Sequence, residues 1–139
     1  MKKRIINLGL SMAIISVSLV SYYPLVLASK NRLPKVGFIK SSEQRGEGCY
    51  YSLAGNKRKQ YIFINASGTI MNFDGQDTNL VRVSGESKKL ADVTNYTANH
   101  LKVRVITVSN NRQDFTVKGT ITIKSGSDSK VVKFDGYCG

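Results

Sequence analysis

From Leu101 to Phe134 apolar and polar positions alternate. Leu101, Val103 and Val105 are separated by Lys102 and Arg104, and Phe115, Val117, Gly119, Ile121 and Ile123 by Thr116, Lys118, Thr120 and Thr122, with Lys124 closing the run. This pattern sets one face of a strand on a core and the other in water. Val132 and Phe134 continue the inward set, Val131, Lys133 and Asp135 face outward, and Cys138 shares the inward parity. A two-residue Gly126-Ser127 turn then places Lys118 opposite Asp135, Gly119 opposite Phe134 and Thr120 opposite Lys133. A slip by one residue would set inward side chains against outward ones, so the pattern selects this register.

Upstream the signal is shorter-ranged. Tyr61 to Ile64 is apolar on both parities and predicts a buried strand, and Ala66-Ser67-Gly68 turns into a second strand at Thr69 to Phe73. Asp74-Gly75 predicts a hairpin turn into a strand at about Asn79 to Ser84. Gly85 to Lys89 reads as a polar break, and Leu90 to Asn99 fits either a short strand or a turn of helix carrying Val93 and Tyr96. The count is seven to eight short strands with no convincing helix beyond the N-terminus. An all-β domain follows, a small antiparallel barrel or sandwich, because strands this short need closure or a second sheet to cover their apolar faces.

The N-terminus departs from this pattern. Lys2, Lys3 and Arg4 precede an uncharged apolar run from Ile5 to about Val20 and a small-residue stop at Val26-Leu27-Ala28, the three zones of an export signal. Residues 1–28 are expected to be a signal peptide cleaved near Ala28, with retention as an anchor the competing outcome; Pro24 and Tyr22-Tyr23 interrupt the apolar run. Residues 29–48, basic and aperiodic with Pro34, Gly37, Gly46 and Gly48, read as a flexible arm, and 49–139 as a single β-domain. Losing Lys2, Lys3 and Arg4 takes the basic residues from 21 to 18 against 9 acidic ones, and the net charge from +12 to +9. Export means a secreted or periplasmic location with no stable membrane span after cleavage. In an oxidising compartment the only two cysteines, Cys49 and Cys138, are expected to pair. Closing a loop of that length stabilises a fold by about 4.6 kcal/mol in the chain-entropy model.

Little in the chain suggests reaction chemistry. Asn72, Asp74, Gly75 and Asp77 place oxygen ligands around a glycine as a calcium loop does, yet the later bidentate Glu is missing, and a plain Asp-Gly turn is the better reading. Asp74 and Asp77 would be a poor acid–base pair without an apolar pocket to shift either pKa. His100, the only histidine, reads as a solvated strand-end residue. No serine lies in a nucleophile motif. The expectation is a non-enzyme with no cofactor and no metal. Asn65-Ala66-Ser67 and Asn95-Tyr96-Thr97 are formal glycosylation acceptors to which no function is attached.

Charge is the functional lead. Lys102, Arg104, Lys118, Lys124 and Lys133 share the outward parity of three adjacent strands, and Lys57-Arg58-Lys59 forms a separate cationic turn. Such a face serves solubility, or it attracts an anionic envelope polymer or surface such as phospholipid head groups or acidic glycans. Nucleic acid is not expected as a partner, since no aromatic residues interleave with the basic ones.

Gly48-Cys49-Tyr50-Tyr51-Ser52-Leu53, Tyr61-Ile62-Phe63-Ile64, Met71 to Leu80 and Gly136-Tyr137-Cys138 together resemble small exported bacterial proteins of unassigned function; the resemblance runs over most of Cys49 to Cys138 and is most specific in the Met-Asn-x-Asp-Gly-x-Asp stretch. It implies a secreted one-domain protein and no catalytic residue. In size and cysteine placement the chain is also similar to the membrane-bound and periplasmic inhibitors of c-type lysozyme, small exported antiparallel barrels stapled by a disulfide between early and late strands. Their inhibitory Ser-Gly-x-x-Tyr and Lys-Gly-x-x-Ala stretches do not occur here; Lys118-Gly119-Thr120-Ile121 only begins like the second. Two functions follow as expectations. One is a non-catalytic binding protein using the cationic face; the other is an inhibitor or modulator of an exported enzyme, inserting a loop near Asp74 to Asn79 or Ser109 to Asp114 into the enzyme's cleft.

Overall fold

The computed structural model describes residues 32–41, 46–56, 58, 60–109 and 115–139. The proposed signal peptide at 1–28, Lys57, Lys59 and the loop 110–114 lie outside the described residues. Nine strands form one antiparallel sheet: β1 (Val36–Gly37), β2 (Cys49–Leu53), β3 (Tyr61–Asn65), β4 (Thr69–Phe73), β5 (Gln76–Lys88), β6 (Ala91–Ala98), β7 (Leu101–Ser109), β8 (Thr116–Ser125) and β9 (Asp128–Cys138). Each strand from β2 to β9 pairs with the next, and β9 returns to β2, so these eight close an up-and-down barrel while β1 adds to β4. Of the two architectures open from the sequence, the barrel is the one that forms. Closure leaves no long sheet edge except along β5, which pairs with β4 only through Leu80 and with β6 from Val81 to Lys88.

The alternation of β7, β8 and β9 is realised as read except at Phe115, expected on the inward face, which precedes β8 at φ 51° and is largely exposed because the left-handed backbone there turns it out of the strand. Val103, Val105, Ile121, Ile123, Val132 and Phe134 are buried inside the barrel, and Lys118 faces Asp135, Gly119 faces Phe134 and Thr120 faces Lys133 across β8–β9. Gly126, at φ +59°, begins the two-residue turn. Asp74 and Gly75, at φ 51° and 85°, form the predicted hairpin between the paired Phe73 and Gln76. In β3 the apolar run on both parities has a local cause: the register shifts between Tyr51 and Ser52, so Ile62 and Phe63 both reach the core while Tyr61 turns outward to meet Tyr50 and Tyr137. Inside, Tyr51 stacks between Phe63 and Phe134 at centroid distances of 5.0 and 4.1 Å. The two facing glycines make room for these rings, because a Cβ at Gly119 would meet Phe134 and one at Gly136 would meet Tyr51.

Two segments differ from expectation. β5 runs straight through Gly85 to Lys88, where a break was expected, and residues 91–98 form a full strand. Residues 85–88 carry no apolar side chain and are exposed on both faces, so no alternation marks them. The backbone ladder with β6 and polar cross-strand pairs hold them instead: Ser87 donates to Asp92 at 2.6 Å and Asn95 to Ser84 at 3.0 Å. The polar break shrinks to a turn at Lys89 and Leu90.

The disulfide closes the seam. Cys49 and Cys138 stand directly opposite across β2–β9, bonded at 2.01 Å, and both pack against the core. Just beyond them Gly48 and Gly139 exchange backbone hydrogen bonds of 2.6 and 3.0 Å. Among the described residues no helix is long and apolar enough to cross a membrane.

Candidate functional site

Strand register sorts the five basic positions into groups. Lys102 on β7 stands directly opposite Lys124 on β8, and Arg104, one outward step along, faces Thr122 on one side and Asn95 on the other. With Ser84 and Thr97 these residues line an external trough of about 520 Å³ whose β5 wall is Val83. Lys118 lies six residues from Lys124 along the same strand, roughly 20 Å away at strand rise, beside Asp135 and Val108. Lys133 faces Thr120, outside the trough lining. One outward face therefore carries a cluster of three cations, with two more spread along it.

The cluster is electrostatically unbalanced. Among the described residues the trough lining holds no acidic side chain. The one ion pair among the described residues joins Lys88 and Glu86 at 3.6 Å, both exposed. Two lysines directly opposite on adjacent strands destabilise a sheet. The neighbouring polar groups are already oriented, Asn95 by its bond to Ser84 and Thr97 by donating to the Leu101 carbonyl at 3.1 Å. Exposed apolar side chains flank the charges: Val81 and Val83 on β5, 64% and 66% exposed, and Val131 on β9, 59% exposed and opposite Thr122. No sequence periodicity picks out Val83, because its wall position depends on the irregular pairing between Arg82 and Ser84.

Asn72, Asp74, Gly75 and Asp77 are brought together, and their oxygens are used by the chain itself. Asp74 Oδ1 accepts from the backbone N–H of Lys35 at 2.9 Å, while the Asp74 N–H donates to the Lys35 carbonyl at 2.8 Å. The Asp77 carboxylate accepts from the N–H groups of Lys40 and Ser41, the shortest at 2.8 Å, and from Asn72 Nδ2 at 2.7 Å. Asn72 is fully buried under Gly37, where any Cβ would collide with its Oδ1. The stretch thus clamps residues 35–41, part of the segment read as a flexible arm, against the barrel, where Val36 and Leu33 add to the core. Burial pushes the Asp77 pKa upward, but the hydrogen bonds from Asn72, Ser41 and Lys40 outweigh it and hold the carboxyl below its ordinary value. Among the described residues no three metal-ligating side chains gather in one place. His100 is exposed in the turn after Asn99, and Arg58 of the cationic turn is exposed with its N–H bonded to Asn56 Oδ1.

One feature has no local sequence signature: at the disulfide end the barrel interior opens into a cup of about 560 Å³. Its floor is formed by Tyr51, Phe63, Tyr96, Val105 and Val117, all buried, and Asn65, Asp92, Thr94, Thr107, Phe115 and the Cys49–Cys138 disulfide complete the lining. Tyr51 Oη lies 3.4 Å from Thr107 Oγ1. Burial raises the Tyr51 pKa, opposed by the Thr107 hydroxyl and reinforced by Tyr96 and Asp92. Tyr96 is likewise raised by burial, against the lowering effects of Thr69, Arg82 and Thr94. Compared with known protein families, curated proteins and solved structures, the chain matches none of them.

Proposed function

We propose that this chain is a small exported, non-catalytic binding protein that takes an anionic ligand of the cell envelope in the trough formed by Lys102, Arg104 and Lys124. The observation that carries the reading is the direct opposition of Lys102 and Lys124 with no acid beside them among the described residues. An arrangement that costs stability in the free protein gains on binding a phosphate, sulfate or carboxylate between the two ammonium groups. Val81, Val83 and Val131 around the charges favour an anionic amphiphile, a phosphate-bearing head group with an apolar body, over a wholly hydrophilic polymer. The disulfide is compatible with an oxidising exported compartment.

Co-sedimentation with vesicles of anionic and of zwitterionic phospholipid, at two salt concentrations, tests this. Binding to the anionic vesicles alone, weakened by salt and abolished in Lys102→Glu/Lys124→Glu, is expected. Equal binding to both vesicles, or an unaffected double variant, would overturn it. Insertion of the 74–79 loop into an enzyme cleft finds no support, because the carboxylates of Asp74 and Asp77 are engaged in holding residues 35–41.

A further inference from the structure

The cup at the disulfide end differs from the trough in charge, although Tyr96 borders both. Among the described residues its lining contains no Lys, Arg or His, and its single ionisable carboxylate is Asp92. Arg82 lies just outside, against Gly85, which pairs with the cup residue Thr94. Among the described residues a carboxylate inside and a guanidinium at the margin balance each other, in a chain of strongly positive charge. Its volume of about 560 Å³ is that of a small-molecule site, and mouths of β-barrels are where such sites occur.

The lining alternates two kinds of surface. Rings come from Tyr51, Phe63, Tyr96 and Phe115, the last 63% exposed at the rim and held at φ +51°, a backbone conformation unusual for an aromatic residue. Between them stand short hydrogen-bonding groups with capacity to spare. Asp92 Oδ1 accepts from Ser87, and among the described residues no second hydrogen bond to its carboxylate is formed. Asn65 Oδ1 accepts from Thr69 at 3.0 Å, which leaves its Nδ2 to donate, and the Thr94 and Thr107 hydroxyls complete the set. Flat apolar faces together with separated donors and acceptors, and balanced charge, match one ligand chemistry: a pyranose ring, with C–H faces for the aromatic rings and hydroxyls for the polar groups. We infer that the cup binds an uncharged saccharide unit, with Phe115 and Tyr96 against its apolar face and Asp92, Asn65, Thr94 and Thr107 on its hydroxyls.

The test is titration of the oxidised protein with cellobiose and, separately, with N,N′-diacetylchitobiose, followed by amide and side-chain NMR. Expected are saturable shifts confined to residues lining the cup, insensitive to salt. Asp92→Asn, which preserves size and the Ser87 contact, should weaken binding about tenfold, the effect of losing one charged hydrogen bond to a sugar hydroxyl. Val117→Trp, which fills the cup, should abolish it, and Lys124→Ala should leave it unchanged. If Val117→Trp disturbs the fold, Asp92→Asn alone decides. Absence of saturable shifts at tens of millimolar sugar, shifts elsewhere on the barrel, or an Asp92→Asn protein that binds as before would overturn the inference. Failure here leaves the anionic trough untouched, since salt sensitivity and the Lys124 variant separate the two sites.

Discussion

The trough and the cup have almost the same volume, about 520 and 560 Å³, and opposite character. The trough is built from outward side chains of β6, β7 and β8 with Val83 and Ser84 of β5 as a wall, and is positively charged. The cup is built from inward side chains of β2, β3, β6, β7, β8 and β9 with Phe115 at its rim, carries one acid among the described residues, and depends on the barrel being shut at β2–β9. A period-two strand can carry two unrelated sites, because alternate residues experience separate environments. The difference also predicts that they fail separately.

Removing the disulfide is expected to have the largest effect. Cys49→Ser/Cys138→Ser should cost about 2–5 kcal/mol of stability, measured by urea unfolding, and should loosen the cup, whose wall includes both cysteines. The trough, across the barrel from the seam, should keep its ligand at temperatures where the variant stays folded. Loss of both sites together would break the comparison. Next comes Lys102→Glu/Lys124→Glu, which should abolish anionic retention on heparin or vesicles while leaving tyrosine signals from the cup in place. Alkali should distinguish the ends as well. Tyr51 and Tyr96 have folded pKa values raised above the ordinary 10.0 by burial, so their contribution is complete below that value and is lost as pH rises through the folded ones. Unfolding followed by tyrosinate absorbance should show stability falling from about pH 10 upward, less so in Tyr51→Phe.

Acid acts on the clamp. The folded pKa of Asp77 lies below the ordinary 3.8, so its stabilisation of residues 40 and 41 is present above that value and disappears as pH falls through the folded one. Hydrogen exchange of the Lys40 and Ser41 amides should accelerate there, and at all pH values in Asp77→Ala. The smallest expected effect is the most diagnostic for the trough: Lys124→Ala should stabilise the protein by removing the repulsion of Lys102. A destabilised variant would mean that the opposed lysines carry no strain for a ligand to relieve.

Legibility followed burial. Strands with one dry face, β7 to β9, could be read to the residue, down to Gly119 opposite Phe134, because a slip there exposes the whole apolar set. The 85–88 end of β5 could not, since it is wet on both sides and held by backbone pairing that leaves no mark on residue choice. The outward basic residues were legible as a face, and their division into three together and two apart was not, because that depends on which residue of one strand stands beside which of another. The Asn72–Asp77 stretch was legible as a turn with oxygens to offer; that residues 35–41 would receive them is a contact between segments some 36 to 39 residues apart.

Local order alone determined the strand parity, the Asp-Gly and Gly-Ser turns, the pairing of the only two cysteines and the sign of the outer face, since each follows from neighbours in the chain or from a count. Tertiary structure decided that the sheet closes as a barrel, that Lys102 meets Lys124 above a valine wall, and that one end stays open as an aromatic-lined cup. Those are consequences of closure, in which the first strand and the last determine what the inward residues of all the others enclose.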